Sequence, residues 1–108
     1  MGGVSEALYE ARTFDAFYAE YLRAHAHPTT RRLHAMATLS AGALIGYGVL
    51  ASQPLAIVAA PLVDYAIAQA SHRTVERNVT RPWRRIPWHV RAELRMCRAT
   101  LRDWRSLK

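Results

Sequence analysis

This sequence predicts an all-α fold organised around an integral membrane helical hairpin, on three observations. From Leu33 to Val63 there is no Lys, Arg, Asp or Glu. That run exceeds the roughly 20 residues one bilayer-spanning helix needs. It is broken once, at Ser52-Gln53-Pro54, near its middle. His34 and His72 lie 19 residues on either side of Gln53. Two antiparallel helices rising about 1.5 Å per residue then bring both imidazoles level, at the open end of the hairpin.

Composition agrees with one small membrane-associated domain. The 108 residues suit a single domain, and 51% apolar with 21% charged residues excludes a disordered tail and an ordinary water-soluble surface. Formal net charge is +7, and eleven of the fifteen basic residues fall between Arg73 and Lys108, against three acids. Such a balance suits an anionic membrane face, an acidic small molecule or nucleic acid. The single Cys97 excludes an intramolecular disulfide and fits a reducing compartment. The first 30 residues are polar, so no cleavable signal peptide is expected.

The elements follow in chain order. Residues 1–12 read as a flexible polar lead-in, and residues 13–108 as one helical membrane domain. Thr13 is placed to cap an N-terminal aromatic helix reaching about Ala26, with Asp15 in its first turn. Phe14, Phe17, Tyr18, Tyr21 and Leu22 form one face of it, for packing on the hairpin or lying at a membrane interface. Pro28 stops that helix, and Thr30 is placed to cap the next. In the first apolar helix Gly42 and Gly46 form a Gly-x-x-x-Gly pair with Gly48 close by, which lets a partner helix approach. The second helix runs from Pro54 to about Asn78, with Pro61 inside it. Asp64, at that depth, either holds a structural hydrogen bond or lines a polar cavity.

The last helix, after Pro87, is amphipathic and Arg-rich. Val90, Leu94, Cys97, Leu101 and Trp104 form one stripe, and Arg91, Arg95, Arg98, Arg102 and Arg105 another. Such a helix lies on an anionic membrane surface, or packs with its charged face solvated. Arg31 and Arg32 before the apolar run, and the arginines after His72, put both termini on the cytoplasmic side.

Chemistry concentrates at the open end of the hairpin. His72 and Glu76, four apart, share a helix face and can bind one metal ion. His34 is level with His72, and His25 and His27 lead directly into the helix that carries His34. Imidazoles with a carboxylate and open positions are the ligand set of oxygen-activating non-haem Fe(II), and also accommodate Zn or Mn. For His27 a surface role beside Pro28 stands equally open. His89 reads as a surface histidine, and Cys97, on an apolar stripe, as a core or lipid-facing residue.

These residues also carry a family resemblance. Phe14, Phe17-Tyr18, Tyr21-Leu22, His25, His27-Pro28, Thr30-Arg31 and Leu33-His34 resemble the opening signature of the 2-hydroxy fatty acid dioxygenase-like family of small helical membrane proteins. Tyr65, His72-x-x-x-Glu76-Arg77-Asn78, Pro87-Trp88 and Arg95-Met96 resemble its second signature, so the likeness runs from about Phe14 to Leu101. The resemblance implies a helical membrane bundle and Fe(II)-dependent oxidative removal of one carbon, with His25, His34, His72 and Glu76 at the polar motif positions and His27 beside them. The chain departs from the family pattern at Ala37, Asp64 and Ser71, where the family has Gly, at Gln69, at Arg73-Thr74-Val75, and at Glu93, where it has Asp.

Together these readings give the expected site: Fe(II) held by His25, His34 and His72, with Glu76 as ligand or base and His27 as a further candidate ligand. Arg31, Arg32 or Arg77 would neutralise the carboxylate of a 2-hydroxy fatty acid. Membrane lipid is the expected partner, and a homo-oligomer is left open. The charge-free hairpin gives no reason for nucleic acid. The rival reading is a non-enzymatic membrane protein whose histidines hold the fold and whose basic helix binds anionic lipid or a partner protein.

Overall fold

The computed structural model describes residues 2–107. It holds five α-helices: α1 Gly2–Glu10, α2 Phe14–Ala24, α3 Pro28–Leu50, α4 Pro54–Ser71 and α5 Ile86–Arg102. A π-helical turn, His72–Glu76, extends α4, and short 3-10 turns occupy Pro82–Arg84 and Trp104–Ser106. Among the described residues there is no strand.

The hairpin is α3 against α4, the most extensive helix pairing in the molecule. Its turn is tight: the Ala51 N–H donates to Tyr47 O and the Gln53 N–H to Gly48 O, both at 2.8 Å, while Ser52 takes a left-handed φ of 54°. Close approach is made by Gly48 and not by the Gly42–Gly46 pair. A Cβ on Gly48 would stand 2.5 Å from Ile57 Cγ1 and 2.9 Å from the Gln53 carbonyl oxygen, whereas one on Gly42 or Gly46 meets nothing within 4 Å. Small residues permit approach but do not decide which of them faces the partner.

Both arms, Pro28–Leu50 and Pro54–Glu76, are 23 residues long and apolar enough to cross a membrane. Their outer surfaces carry Met36, Leu39, Ile45, Tyr47, Val49, Leu55, Val58 and Leu62, all exposed, and Leu50 at the tip is 90% exposed.

The aromatic core lies at the open end, where α1, α2 and α5 meet. It contains Leu8, Tyr9, Phe14, Phe17, Tyr21, Ala24, Ala92 and Met96. Thr13 caps α2 as expected, its Oγ1 accepting from the Ala16 N–H at 3.1 Å. The next helix starts earlier than expected. His27 is the cap of α3, its Nδ1 accepting from the Thr29 N–H, with Pro28 in the first turn, and Thr30 is fully buried instead. Residues 1–12, expected as a flexible lead-in, carry α1. Arg85 holds the end of α1 by donating to the carbonyls of Leu8, Tyr9 and Ala11. No apolar period announces a helix this short; Leu8 and Tyr9 anchor it through tertiary contact.

α5 is amphipathic in a different phase from the expected stripe. It buries His89, Ala92, Met96, Cys97 and Thr100, and leaves Val90, Leu94 and Leu101 exposed. Ala92 and Met96 join the aromatic core, and Cys97 Sγ reaches the Ala35 carbonyl of α3 at 4.0 Å. Two of the stripe arginines rest on α2: Arg91 lies over the Phe14 ring at 4.0 Å and Arg95 over Tyr18 at 4.3 Å.

Candidate metal centre

Three imidazoles from three segments meet at the open end of the hairpin. His25 ends α2, His34 sits in the second turn of α3, and His72 opens the π turn after α4. Their ring centroids are 4.4 Å apart for His25–His34, 4.4 Å for His25–His72 and 5.1 Å for His34–His72. The planes are close to mutually perpendicular, and one nitrogen from each lies within 4.8 Å of the others. All three are at most 3% exposed. The hairpin register places His34 and His72 level.

Each ring has an acceptor or a carboxyl group beside its Nδ1. His25 Nδ1 donates to the Tyr21 carbonyl at 2.6 Å, and its ring stacks on Tyr21 at 4.1 Å. His72 Nδ1 donates to Asn78 Oδ1 at 2.7 Å, and Asn78 Nδ2 donates in turn to the Ala24 carbonyl at 3.0 Å. His34 Nδ1 stands 3.5 Å from Glu93 Oε1. Fixing Nδ1 in this way leaves Nε2 with its lone pair, the arrangement by which proteins orient metal-binding histidines. His25 Nε2 and both nitrogens of His34 are buried without a hydrogen-bond partner. Burial, with the neighbouring His34 and His72, holds His25 well below the ordinary imidazole pKa. It is therefore neutral, the form that ligates. Orphaned, neutral, converging imidazoles fit a metal ion.

The other expected site residues sit nearby in different employment. Glu76 is half-buried outside the imidazole group, and its Oε1 accepts the His27 N–H at 2.6 Å, at the positive N-terminus of α3. His27 is exposed and serves as the helix cap. Arg31 Nε donates to the His25 carbonyl at 2.8 Å. Arg32 donates to the carbonyls of Trp104 and Leu107, and lies over the Trp104 ring at 5.4 Å. Arg77 is exposed, in a left-handed conformation of φ 55°.

Beside the imidazoles opens a cavity of about 380 Å³, walled mainly by apolar side chains. Tyr21, His25, His34 and His72 form one part of its lining, Pro61, Tyr65, Trp83, Ile86 and Val90 another, and Asp64, Gln69, Thr80, His89 and Glu93 add further polar groups. No Arg lines it among the described residues.

A family model described as 2-hydroxy-palmitic acid dioxygenase Mpo1-like matches residues 11–103. The chain belongs to that family. No curated protein and no solved structure matches it. In this member of the Mpo1-like family, then, the three-histidine group and the adjoining cavity are the features that a dioxygenase-like function would use.

Sequence reasoning missed three residues of the centre. Asn78 is six residues from His72 and on a regular helix would point elsewhere; the π turn and left-handed Arg77 bring it back. Glu93 carried a readable signal, since it stands four residues from both His89 and Cys97 and so on the buried side of α5. His89 was expected at the surface, but it is buried. Its Nε2 lies 3.3 Å from the Tyr9 hydroxyl, and its ring meets Phe17 edge-on at 5.2 Å. The lead-in helix α1 supplies that cover.

Proposed function

We propose that this protein is an integral membrane, Fe(II)-dependent oxygenase that shortens 2-hydroxy fatty acids by one carbon. The convergence of His25, His34 and His72 supports this reading: three buried imidazoles whose nitrogens come together, with His25 Nε2 and both nitrogens of His34 lacking any hydrogen-bond partner. Membership of the Mpo1-like family supports the substrate class.

The overall change, a 2-hydroxy acid and O2 giving the shorter acid, CO2 and water, balances without a further reductant. Iron bound by the three imidazoles would supply oxygen activation and a Lewis-acidic seat for the substrate head. The chain's own residues do the rest. The Tyr21 carbonyl and Asn78 orient His25 and His72, and Glu93 stands 3.5 Å from His34 Nδ1. Glu76, tied to the His27 N–H, joins the π turn to the start of α3 and so fixes the spacing of His34 and His72. The apolar wall holds alkyl chain and excludes water from the reacting end. Both arms of the hairpin cross the bilayer, with Arg31, Arg32, Arg73 and Arg77 marking the cytoplasmic side.

Detergent-purified protein loaded anaerobically with Fe(II) should retain stoichiometric iron and consume oxygen with 2-hydroxypalmitate. Protein that retains no metal after such loading would overturn the reading.

A further inference from the structure

The cavity beside the imidazoles is a cleft between two helices that share a neighbour. α4 and α5 both pack on α3, far more than on each other, and residues of both line the gap. At the imidazole end the cleft is tied shut. Gln69 of α4 donates to Thr80 Oγ1 at 3.3 Å, and the Arg81 N–H donates to the Tyr9 hydroxyl of α1 at 2.6 Å. The segment between α4 and α5 is thereby held across that end. The flank is rimmed instead by aromatic and apolar side chains that face outward. Tyr65 stands on the α4 side at 46% exposed, and Trp83, Ile86 and Val90 on the other at 60%, 57% and 51%.

The rim continues two apolar stripes. Tyr65, Leu62, Val58 and Leu55 are spaced by three and four along α4, so they share one face, and all are exposed. Ile86, Val90, Leu94 and Leu101 do the same along α5. Large apolar side chains in such continuous bands are not left in water by a soluble surface. Arginines flank the rim on the side away from the hairpin tip: Arg84 and Arg91, next to Trp83 and Val90 in sequence, are both exposed. Trp and Tyr between an apolar band and basic residues make up a membrane interface, where rings sit at headgroup level and arginines meet anionic headgroups.

We infer that the cleft opens sideways into the arginine-side leaflet of the bilayer, and that an acyl chain enters it there, between Tyr65 and the edge made by Trp83, Ile86 and Val90. This rests on the membrane reading proposed above and adds the route. A chain already in the leaflet reaches the imidazoles without crossing water, and the apolar rim offers a water-borne anion nothing to bind.

Spin labels on single cysteines of the full chain in lipid nanodiscs test the opening. Cys97 is buried, so the parent chain is both background and unlabelled control. Labels at Tyr65→Cys, Ile86→Cys and Val90→Cys should be relaxed more by oxygen, which concentrates in lipid, than by an aqueous nickel chelate. Val58→Cys on the arm should behave alike, and Arg98→Cys should show the reverse order. The three rim sites are independent, so loss of one variant to misfolding leaves the others. Rim labels that rank with Arg98→Cys would overturn the sideways opening. If Val58→Cys ranks there too, the membrane hairpin itself fails.

The occupant is tested by palmitic acid carrying a diazirine near its methyl end, dissolved in the same nanodiscs and irradiated. Adducts should reach Ala68, Gln69 and Glu93 inside the cleft, and the double change Ile86→Glu with Val90→Glu should remove most of them. Adducts confined to the outer face of the hairpin would overturn the acyl occupant.

Discussion

Asn78 Oδ1 lies 2.7 Å from His72 Nδ1, and the same side chain ties back to the Ala24 carbonyl one residue before His25. One amide thus fixes the orientation of one imidazole and the position of another. Removing it should loosen both. Asn78→Ala is expected to weaken Fe(II) or Zn(II) affinity about 10–100-fold, the usual effect of losing such a partner. Competition with a chelating dye reads this, and unchanged affinity would count against the assignment.

His34→Ala and His72→Ala should each abolish tight metal binding, and the double change should cost little more than either alone. Ligands of one ion act as a unit, so their effects fail to add. Metal per chain after gel filtration is the measurement; additive, partial losses would point to separate roles.

His89 should separate stability from metal. Burial, with His72 nearby, lowers its pKa to about 4. In the unfolded chain an imidazole titrates near 6.5, so between those values the unfolded state binds the extra proton, and stability falls as pH falls. The expected slope from this residue is roughly 1.4 kcal/mol per pH unit over that window. Metal-free His89→Gln should show a correspondingly flatter loss of stability from pH 6.5 to 4 in denaturant titrations. It should still bind metal at neutral pH.

Gly48 should resist enlargement where its neighbours do not. Gly48→Leu drives side-chain atoms into Ile57 and the Gln53 carbonyl and should cost several kcal/mol in detergent unfolding. Gly42→Ala and Gly46→Ala meet nothing and should stabilise by about 0.5–1 kcal/mol through helix propensity. The reverse ranking would refute the register of the hairpin.

Membrane residence is tested by carbonate washing, after which the protein should stay with the membrane fraction. Recovery as a soluble monomer without detergent would recast the apolar arms as the core of a soluble bundle.

How much of this could be read from the chain alone differs by residue. The absence of charge from Leu33 to Val63 and the break at Gln53 were enough for the hairpin and for the pairing of His34 with His72, because both depend only on helical rise. Thr13 was legible because a cap is a local hydrogen bond. The start of α3 was not, since His27 performs a capping role that Thr30 is the commoner choice for. α5 was readable as amphipathic but not in phase: its buried face includes His89, Ala92 and Thr100, residues that hydrophobicity ranks low. Asn78 needed a π turn that no spacing rule anticipates. Asp64 and Glu93 meet only because α4 and α5 pass the same point of α3.

The three imidazoles belong to segments that would otherwise move apart independently. An ion shared among them is a cross-link between the end of α2, the start of α3 and the end of α4, closing a loop that contains the whole hairpin. The order of maturation follows from that topology. The two long helices can form on their own hydrogen bonds, whereas α1, α2 and α5 hold one another through the aromatic core, and His25 links that group to the hairpin's imidazoles. An ion at the three histidines, on the function proposed above, would then lengthen the lifetime of that arrangement.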